Sequence, residues 1–203
     1  MKIYFTRHGE SEANVLHEVS NRGLRHGLTR RGREQAVALA HKLQDLPISR
    51  IYSSPVLRAI ETSVILANRL DLDYEVVDAL REYDCGIVEG RSDESGWEIW
   101  KGLFEDWTVH RRWEQRIEGG ESFHDIRERF VPFIEGLVRQ HGNSDEGLLC
   151  VSHGGIYRMM LPLVLKNVDH DLISKHGFDY TSCIVSEVRP EGLICVAWNG
   201  IEI

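Results

Sequence analysis

Residues 2–14 have the sequence KIYFTRHGESEAN, which joins a short β-prone run to a polar loop. Arg7, His8 and Gly9 follow the β-prone run directly, with no turn between them. A strand needs none of these three residues, and a glycine weakens the interior of a strand. We therefore expect a functional site where the first strand of the protein ends, with Gly9 allowing the backbone to turn close to a ligand.

The composition is that of a globular protein of one domain, spanning residues 1–203. The chain has 42% hydrophobic and 28% charged residues, and its net charge is −8. An acidic chain is a poor general binder of nucleic acid, so no nucleic-acid partner is expected. No apolar run is long enough to cross a bilayer. The four cysteines form no C-x-x-C pair and the N-terminus has no signal-peptide pattern, so we expect a cytoplasmic protein without membrane association.

Alternation of strand-like and helix-like segments predicts the fold class. Apolar residues at helical spacing follow Thr29, a candidate N-cap, and a second helix is predicted after Ser54, with Ser54 as its cap. Residues 73–80, DYEVVDAL, suggest a third strand. The predicted order is β-α-β-α-β, an insertion, then α-β-α-β-β. This order predicts an α/β protein, a three-layer α/β/α sandwich around a mostly parallel mixed sheet.

The segment from about residue 84 to residue 120 differs in character from the rest of the chain. It holds many charged residues and four of the five tryptophans, Trp97, Trp100, Trp107 and Trp113. We interpret it as a helical, lid-like insertion in the single domain. The tryptophans either form the hydrophobic core of this insertion or line a pocket for an apolar part of a substrate.

Basic side chains follow three of the predicted strands. Arg7 and His8 follow the first strand, Arg58 lies in the first turn of the helix after the second, and His153 precedes Gly154 after a buried strand. Ligands of open α/β sheets bind outside the carboxyl ends of the strands, so these side chains are expected to converge. Two guanidinium groups and two imidazoles predict a pocket for an oxyanion the size of phosphate.

The chemistry that suits such a pocket is phosphoryl transfer. A neutral imidazole is nucleophilic near pH 7 and can form a covalent phosphoryl intermediate. The reaction also needs an acid that protonates the leaving oxygen. Glu82 is the first candidate for this acid, and Asp84 and Glu89 are alternatives in the same segment.

Six segments together resemble the histidine phosphatase superfamily, the group with the phosphoglycerate mutase-like fold. In chain order they are TRHGESEAN, LTRRGREQA, SSPVLRAIET, LREYDCGIVEG, GGES and VSHGG. The resemblance covers nearly the whole chain, and all six motifs occur in the order found in the family. One segment departs from the pattern: where many members have a Gln-Gly pair and an Asp before Leu-Thr, this chain has SNRGLRHGLT.

The resemblance implies a role for each matching residue. His8 would be the nucleophile that becomes phosphohistidine, and Glu82 would be the proton donor. The residues that would bind the transferring phosphoryl group are Arg7, Arg58 and His153, the last also counted as catalytic. Accessory phosphate contacts would come from Asn14 and from the amide of Ser122 or its neighbour.

Within this family we expect a phosphatase that acts on a small phosphorylated metabolite and needs neither metal nor cofactor. A phosphoglycerate mutase is the alternative, although the departing segment and the length of the chain weaken it. A protein phosphatase acting on phosphohistidine or phosphotyrosine, or a regulatory scaffold, is the alternative of another class. An edge strand leaves a homodimer open.

Overall fold

The computed structural model describes residues 1–203. The strands are β1 (Lys2–Arg7), β2 (Ile48–Ser53), β3 (Tyr74–Val76), β4 (Gly147–Ser152), β5 (Cys183–Arg189), β6 (Gly192–Trp198) and β7 (Ile201–Glu202). The helices are α1 (Glu12–Leu16), α2 (Arg30–Leu43), α3 (Leu57–Leu70), α4 (Glu94–Thr108), α5 (Phe123–His141), α6 (Gly154–Val164) and α7 (His170–His176). Two short 3₁₀ turns occupy Asp78–Leu80 and Gly86–Val88. No helix combines the length and the apolar content that crossing a bilayer requires.

All seven strands belong to one sheet, in the order β3-β2-β4-β1-β5-β6-β7. The first four strands of this order are parallel to their neighbours, and β5, β6 and β7 are added in antiparallel fashion. Because β6 reverses the direction of β5, it runs in the same direction as β1. Only β5 and β7 oppose the other strands, which confirms the predicted mostly parallel sheet.

Each face of the sheet is covered by helices. Side chains alternate along β1, so that Ile3 and Phe5 join one hydrophobic core while Tyr4 joins the other. The larger core contains the buried faces of α5 and α6, and the smaller core those of α2 and α3. A shift of one residue in register would exchange these two sets, so the alternation specifies the register of β1. The predicted three-layer sandwich is confirmed.

Two local predictions differ from the structure. The third strand is only three residues long, because its neighbour β2 ends at Ser53, which accepts a hydrogen bond from the Val77 amide at 2.9 Å. Asp78 then begins a 3₁₀ turn instead of continuing the strand. Helix α3 begins at Leu57 with Val56 at its N-cap, so the prediction that Ser54 caps this helix was wrong. Thr29, in contrast, caps α2 as expected and accepts a hydrogen bond from the Gly32 amide at 3.0 Å.

The predicted insertion contains the 3₁₀ turn Gly86–Val88 and helix α4. Leu103 and Trp107 of α4 are buried in the larger core, so this segment packs onto the sandwich through an apolar face of its own. That it acts as a lid stays a prediction.

Candidate active site

The carboxyl ends of β2, β4 and β1, three adjacent strands, surround a cavity of about 410 Å³. Arg7 is the last residue of β1, and the amide of His8 still donates to the Ser152 carbonyl of β4 at 3.0 Å. Arg58 reaches the same cavity from the first turn of α3, and Glu82 from the segment that follows β3. The sheet topology thus brings together residues as distant in the sequence as Arg7 and Phe178.

The hydrogen bonds of His8 define its tautomer. The Nδ1 atom lies 2.6 Å from the carbonyl oxygen of Gly9, which can only accept, so Nδ1 carries the proton. The Nε2 atom accepts a hydrogen bond from Arg58 Nε at 2.9 Å. Nε2 therefore carries no proton and is the nucleophilic atom of this imidazole, with its lone pair held by the hydrogen bond from Arg58.

The surroundings of His8 keep its ring neutral. The side chain is almost completely buried, and burial lowers the pKa of His8 well below its usual value. The positive charges of Arg58 and Arg7 lower this pKa further, since they oppose a second cation beside them. A neutral imidazole at physiological pH is the state that a nucleophilic role requires.

Two guanidinium groups flank His8, and each is held by a backbone carbonyl. Arg58 donates from Nη1 to the Ser20 carbonyl at 2.6 Å, and Arg7 donates from Nη1 to the Phe178 carbonyl at 2.6 Å. Burial lowers the pKa of Arg58 to about 10, so the group remains charged at neutral pH. The Nε atom of Arg7 is buried without a hydrogen-bond partner. The Nε–H group of Arg7 is therefore free to donate a hydrogen bond to an anion.

His153 stands next to His8 at the N-cap of α6, with the two ring centroids 5.0 Å apart. Its Nε2 atom lies 2.7 Å from the hydroxyl of Ser54, which itself accepts from the Val56 amide. The Ser54 hydroxyl can thus donate to Nε2, which leaves the proton of His153 on Nδ1. That Nδ1 atom is buried and has no partner. Burial also lowers the pKa of His153 well below its usual value.

Glu82 is the one predicted acid that lines the cavity. Its carboxylate accepts hydrogen bonds from the amides of Tyr83 at 3.1 Å and Gly155 at 3.0 Å. A Cβ atom on Gly155 would lie 2.7 Å from this carboxylate, so the close approach of α6 requires a glycine. Burial raises the pKa of Glu82, although the charge of Arg58 and the two amides oppose the rise. A raised pKa is the property expected of a general acid.

Asp84 and Glu89, the alternative candidates for the proton donor, form contacts outside the cavity. Asp84 forms an ion pair with Arg22 at 2.6 Å and accepts from the Gly86 amide at 2.8 Å. Glu89 accepts from the backbone amides of Asn21 and Arg22, at distances between 2.9 and 3.1 Å. Both side chains therefore hold loops together, and neither lines the cavity.

The two accessory phosphate contacts have different positions. Asn14 lines the cavity, and its side-chain oxygen accepts from Ser11, so its amide nitrogen remains free to donate. Ser122 lies outside the cavity lining, as the N-cap of α5. Its amide and its hydroxyl both donate to Asp125 at 2.8 Å. Both Ser122 donors are thus engaged in this structure, and a phosphate contact from Ser122 or its neighbour stays a prediction.

Sequence reasoning missed Ser54 and Arg158 as residues of this region. Ser54 was assigned to a helix cap, although its position directly after β2 is the same kind of strand-end position that indicated His8. Arg158 lines the cavity from α6 and lies one helical turn beyond Gly154. Residues four apart share a helix face, so this spacing was the signal that could have indicated it.

The arrangement is suited to hold a tetrahedral oxyanion against His8. Arg7 and His153 each present a buried, unpartnered N–H group, and buried polar groups are normally paired in proteins. An anion bound beside His8 could accept hydrogen bonds from both groups. No three His, Cys, Asp or Glu side chains lie together in a way that could hold a metal ion.

Comparison with known proteins identifies the family of this chain. The family described as the histidine phosphatase superfamily (branch 1) matches residues 3–201. Human 6-phosphofructo-2-kinase/fructose-2,6-bisphosphatase 1 is 33% identical over 174 residues, which are 84% of this chain but only 34% of the human protein. The chain thus spans about a third of the length of this relative.

Solved structures with the same fold cover the chain almost completely. YhfR of Bacillus stearothermophilus is 27% identical with a TM-score of 0.79, over 100% of this chain and 98% of that one. Mycobacterial hydrolase 1 is 25% identical with a TM-score of 0.80, over 98% of both chains. With the family match over nearly its full length and the strand-end site just described, the chain belongs to the histidine phosphatase superfamily, branch 1.

Proposed function

We propose that this protein hydrolyses small phosphate monoesters through a phosphohistidine intermediate on His8. The observation that carries the proposal is the state of His8. Its Nε2 lone pair is unprotonated and lies beside two guanidinium groups and the unpartnered donors of Arg7 and His153. A nucleophile next to hydrogen-bond donors that can bind an anion is the arrangement that phosphoryl transfer needs.

The reaction would proceed in two steps. In the first, Nε2 of His8 attacks phosphorus, the bond from phosphorus to the ester oxygen breaks, and Glu82 gives its proton to the departing alcohol. Arg7, Arg58 and His153 would hold the equatorial oxygens of the phosphoryl group, with the Asn14 amide as a further donor. In the second, water attacks the phosphorus of the phosphohistidine, the bond from phosphorus to Nε2 breaks, and the Glu82 carboxylate takes a proton from that water. Inorganic phosphate leaves, and His8 and protonated Glu82 are restored.

The relatives support a phosphatase as the activity. The name of the human relative joins a kinase and a bisphosphatase, and the family that covers this chain is named for histidine phosphatases. The shared third of that relative would then correspond to its bisphosphatase activity. Hydrolysis of a phosphorylated metabolite without a metal or cofactor is the corresponding proposal for this chain.

Phosphate release from a panel of esters tests the proposal. The panel would contain a sugar bisphosphate, 3-phosphoglycerate with and without the 2,3-bisphosphate, phosphoserine, a nucleotide and a phosphopeptide, all with EDTA. His8→Ala is the blank, and His110→Ala, which changes an exposed histidine, is the matched control. We expect free phosphate from a small ester with the wild type and the control, and none with the blank.

Three other results would overturn the proposal. Isomerisation of 3-phosphoglycerate without free phosphate would make the protein a mutase. Release from the phosphopeptide alone would make it a protein phosphatase. Loss of all activity in EDTA, restored by a metal, would contradict the metal-independent mechanism.

A further inference from the structure

Helix α4 has one broad apolar face with two different surroundings. Leu103 and Trp107, on one side of this face, are buried in the larger core. Trp97, Trp100 and Phe104, at a spacing of three and four residues, touch that core but also line the cavity that contains His8. We call these three residues the aromatic wall.

The rings of the aromatic wall are ordered against one another. Trp100 and Phe104 are stacked, with centroids 5.6 Å apart and an angle of 17° between the ring planes. Trp97 meets Trp100 edge-on at 5.5 Å, and its indole N–H donates to the His17 carbonyl at 2.8 Å. The one polar atom of Trp97 is therefore satisfied outside the cavity. What the wall offers to a bound molecule is flat apolar surface.

Arg158 lies against the aromatic wall, and its guanidinium group has no hydrogen-bond or ion-pair partner. Its guanidinium carbon is 5.8 Å from the centroid of the Phe104 ring. It forms no hydrogen bond and no ion pair, whereas Arg7 and Arg58, the other arginines of the cavity, are both held by backbone carbonyls. A partly buried arginine without a carboxylate can still bind an anionic group of a ligand.

These features are more than the hydrophobic core of an insertion requires. Leu103 and Trp107 attach α4 to the sandwich, whereas the three rings of the aromatic wall touch the core but remain only partly buried beside the cavity. Apolar surface that faces a cavity gains free energy when a ligand covers it. The wall and Arg158 therefore form a second recognition site in the cavity, separate from the phosphate donors around His8.

We propose, on the basis of the proposed phosphatase function, that the alcohol part of the substrate has a flat apolar ring and a second acidic group. The ring packs against the aromatic wall, and the acidic group pairs with Arg158. The substrate class is thus an acidic phosphate ester of a ring-bearing alcohol, rather than a short aliphatic phosphate.

Three matched esters test this specificity: ethyl phosphate, benzyl phosphate and 4-carboxybenzyl phosphate. Their alcohols are all poor leaving groups, so differences in kcat/KM report binding in the cavity more than chemistry. We expect benzyl phosphate to exceed ethyl phosphate by at least about tenfold, because its ring is buried on the wall. The carboxylate should add about another tenfold through its charged hydrogen bond with Arg158.

Two substitutions test whether these increases in kcat/KM come from the aromatic wall and from Arg158. Arg158→Gln should bring the ratio of 4-carboxybenzyl to benzyl phosphate close to one. Trp100→Leu should lower the ratio of benzyl to ethyl phosphate severalfold, and Phe104→Leu is a second variant in case Trp100→Leu does not fold. Arg127→Gln, which changes an exposed arginine of α5 without an ion pair, is the control and should keep both ratios.

The outcomes separate this inference from the proposed function. Equal kcat/KM for ethyl and benzyl phosphate in the wild type would overturn the inference and leave the phosphatase intact. So would a carboxylate preference that survives Arg158→Gln. Absence of phosphate release from every ester would overturn the proposed function and the inference together.

Discussion

At the scale of single residues, the direction of each hydrogen bond around His8 decides what the site can do. The Gly9 carbonyl holds the proton on Nδ1, and Arg58 approaches Nε2 as a donor. Gly9 itself must be a glycine, because a Cβ atom there would collide with the carbonyl of Gly32. These contacts keep Nε2 unprotonated, so no separate base is needed to remove a proton from it.

Glu82→Gln tests the proposed acid. We expect turnover of esters with poor leaving groups, such as ethyl phosphate, to fall about 100-fold or more, because the departing alkoxide loses its proton donor. p-Nitrophenyl phosphate should be affected far less, since its phenolate leaves without a proton. Steady-state kinetics on both substrates measures the difference, with Glu89→Gln as the control. Equal slowing of both esters would remove Glu82 from the acid role.

The raised pKa of Glu82 predicts how the rate depends on pH. The acid acts in its protonated form, so kcat/KM for a poor leaving group should fall as the pH rises through this raised pKa. His8 contributes no loss in the same range, because its lowered pKa keeps it neutral there. A pH–rate profile measures the decline. If Glu82→Gln kept the same alkaline decline, another group would be responsible for it.

At the scale of elements, an ion-pair network fixes the segment that carries Glu82. Glu121 accepts hydrogen bonds from Arg81 and from Arg129 of α5, and also from the Asp84 amide at 2.8 Å. Arg129 Nη1 further donates to the carbonyls of Asp78, Ala79 and Arg81, between 2.8 and 3.3 Å. The backbone on both sides of Glu82 is thus tied to the start of α5.

Arg129→Met tests this network while keeping the length of the side chain. We expect unfolding to become easier by about 2 kcal/mol, because several charged hydrogen bonds are lost from a mostly buried group. Turnover of poor leaving groups should fall more than turnover of p-nitrophenyl phosphate, since the loosened segment positions Glu82 less well. Denaturant unfolding and leaving-group kinetics check both effects. Arg127→Met, on an exposed position of the same helix, should show neither.

Local patterns predicted which elements form better than where their ends lie. The first strand and the cap at Thr29 depend on neighbouring residues alone, and both were predicted correctly. Ser54 and Ser122 have the right chemistry for their predicted roles, but other contacts engage them: a distant histidine for Ser54 and the local capping box of α5 for Ser122. His153 approaches Ser54, and Asp125 occupies both donors of Ser122. The third strand ends early because β2 offers no partner beyond Ser53.

At the scale of the whole molecule, the fold gathers positive charge around the cavity at the carboxyl ends of the strands, although the protein as a whole is acidic. The net charge is −8, yet the cavity is lined by Arg7, Arg58 and Arg158 against only two carboxylates, Glu18 and Glu82. The motifs predicted the strand ends that meet there. The sequence left open whether the tryptophans of α4 form core or line a pocket, because which side of α4 faces the cavity depends on how the insertion packs onto the sandwich.

Burial of His8 and His153 makes the stability of the whole domain depend on pH. Their pKa values are lowered in the folded state from 6.5, so below that pH only the unfolded chain takes up protons on these rings. For each ring, the free energy of unfolding then falls by about 1.4 kcal/mol for every pH unit of acidification. Glu82 acts in the opposite direction, since its raised pKa lets the folded state bind a proton more readily than the unfolded chain.

We therefore expect stability to fall by about 1 kcal/mol or more as the pH drops from 6.5 to about 5.5, the window below the unfolded histidine pKa. Urea unfolding at these two pH values measures the change. His8→Asn should show a smaller dependence, because only one of the two buried imidazoles remains. Constant or increasing stability of the wild type on acidification would show that the two rings are not held neutral.

The most direct test of the account is to trap the phosphoryl group on the enzyme. Wild-type protein mixed with a radiolabelled phosphate ester and quenched in alkali should carry label on the peptide that contains His8. The linkage should be stable to alkali and labile to acid, as expected of a phosphoramidate. His110→Asn should be labelled in the same way and His8→Asn should not. Label on a different residue, or full turnover by His8→Asn, would contradict the mechanism.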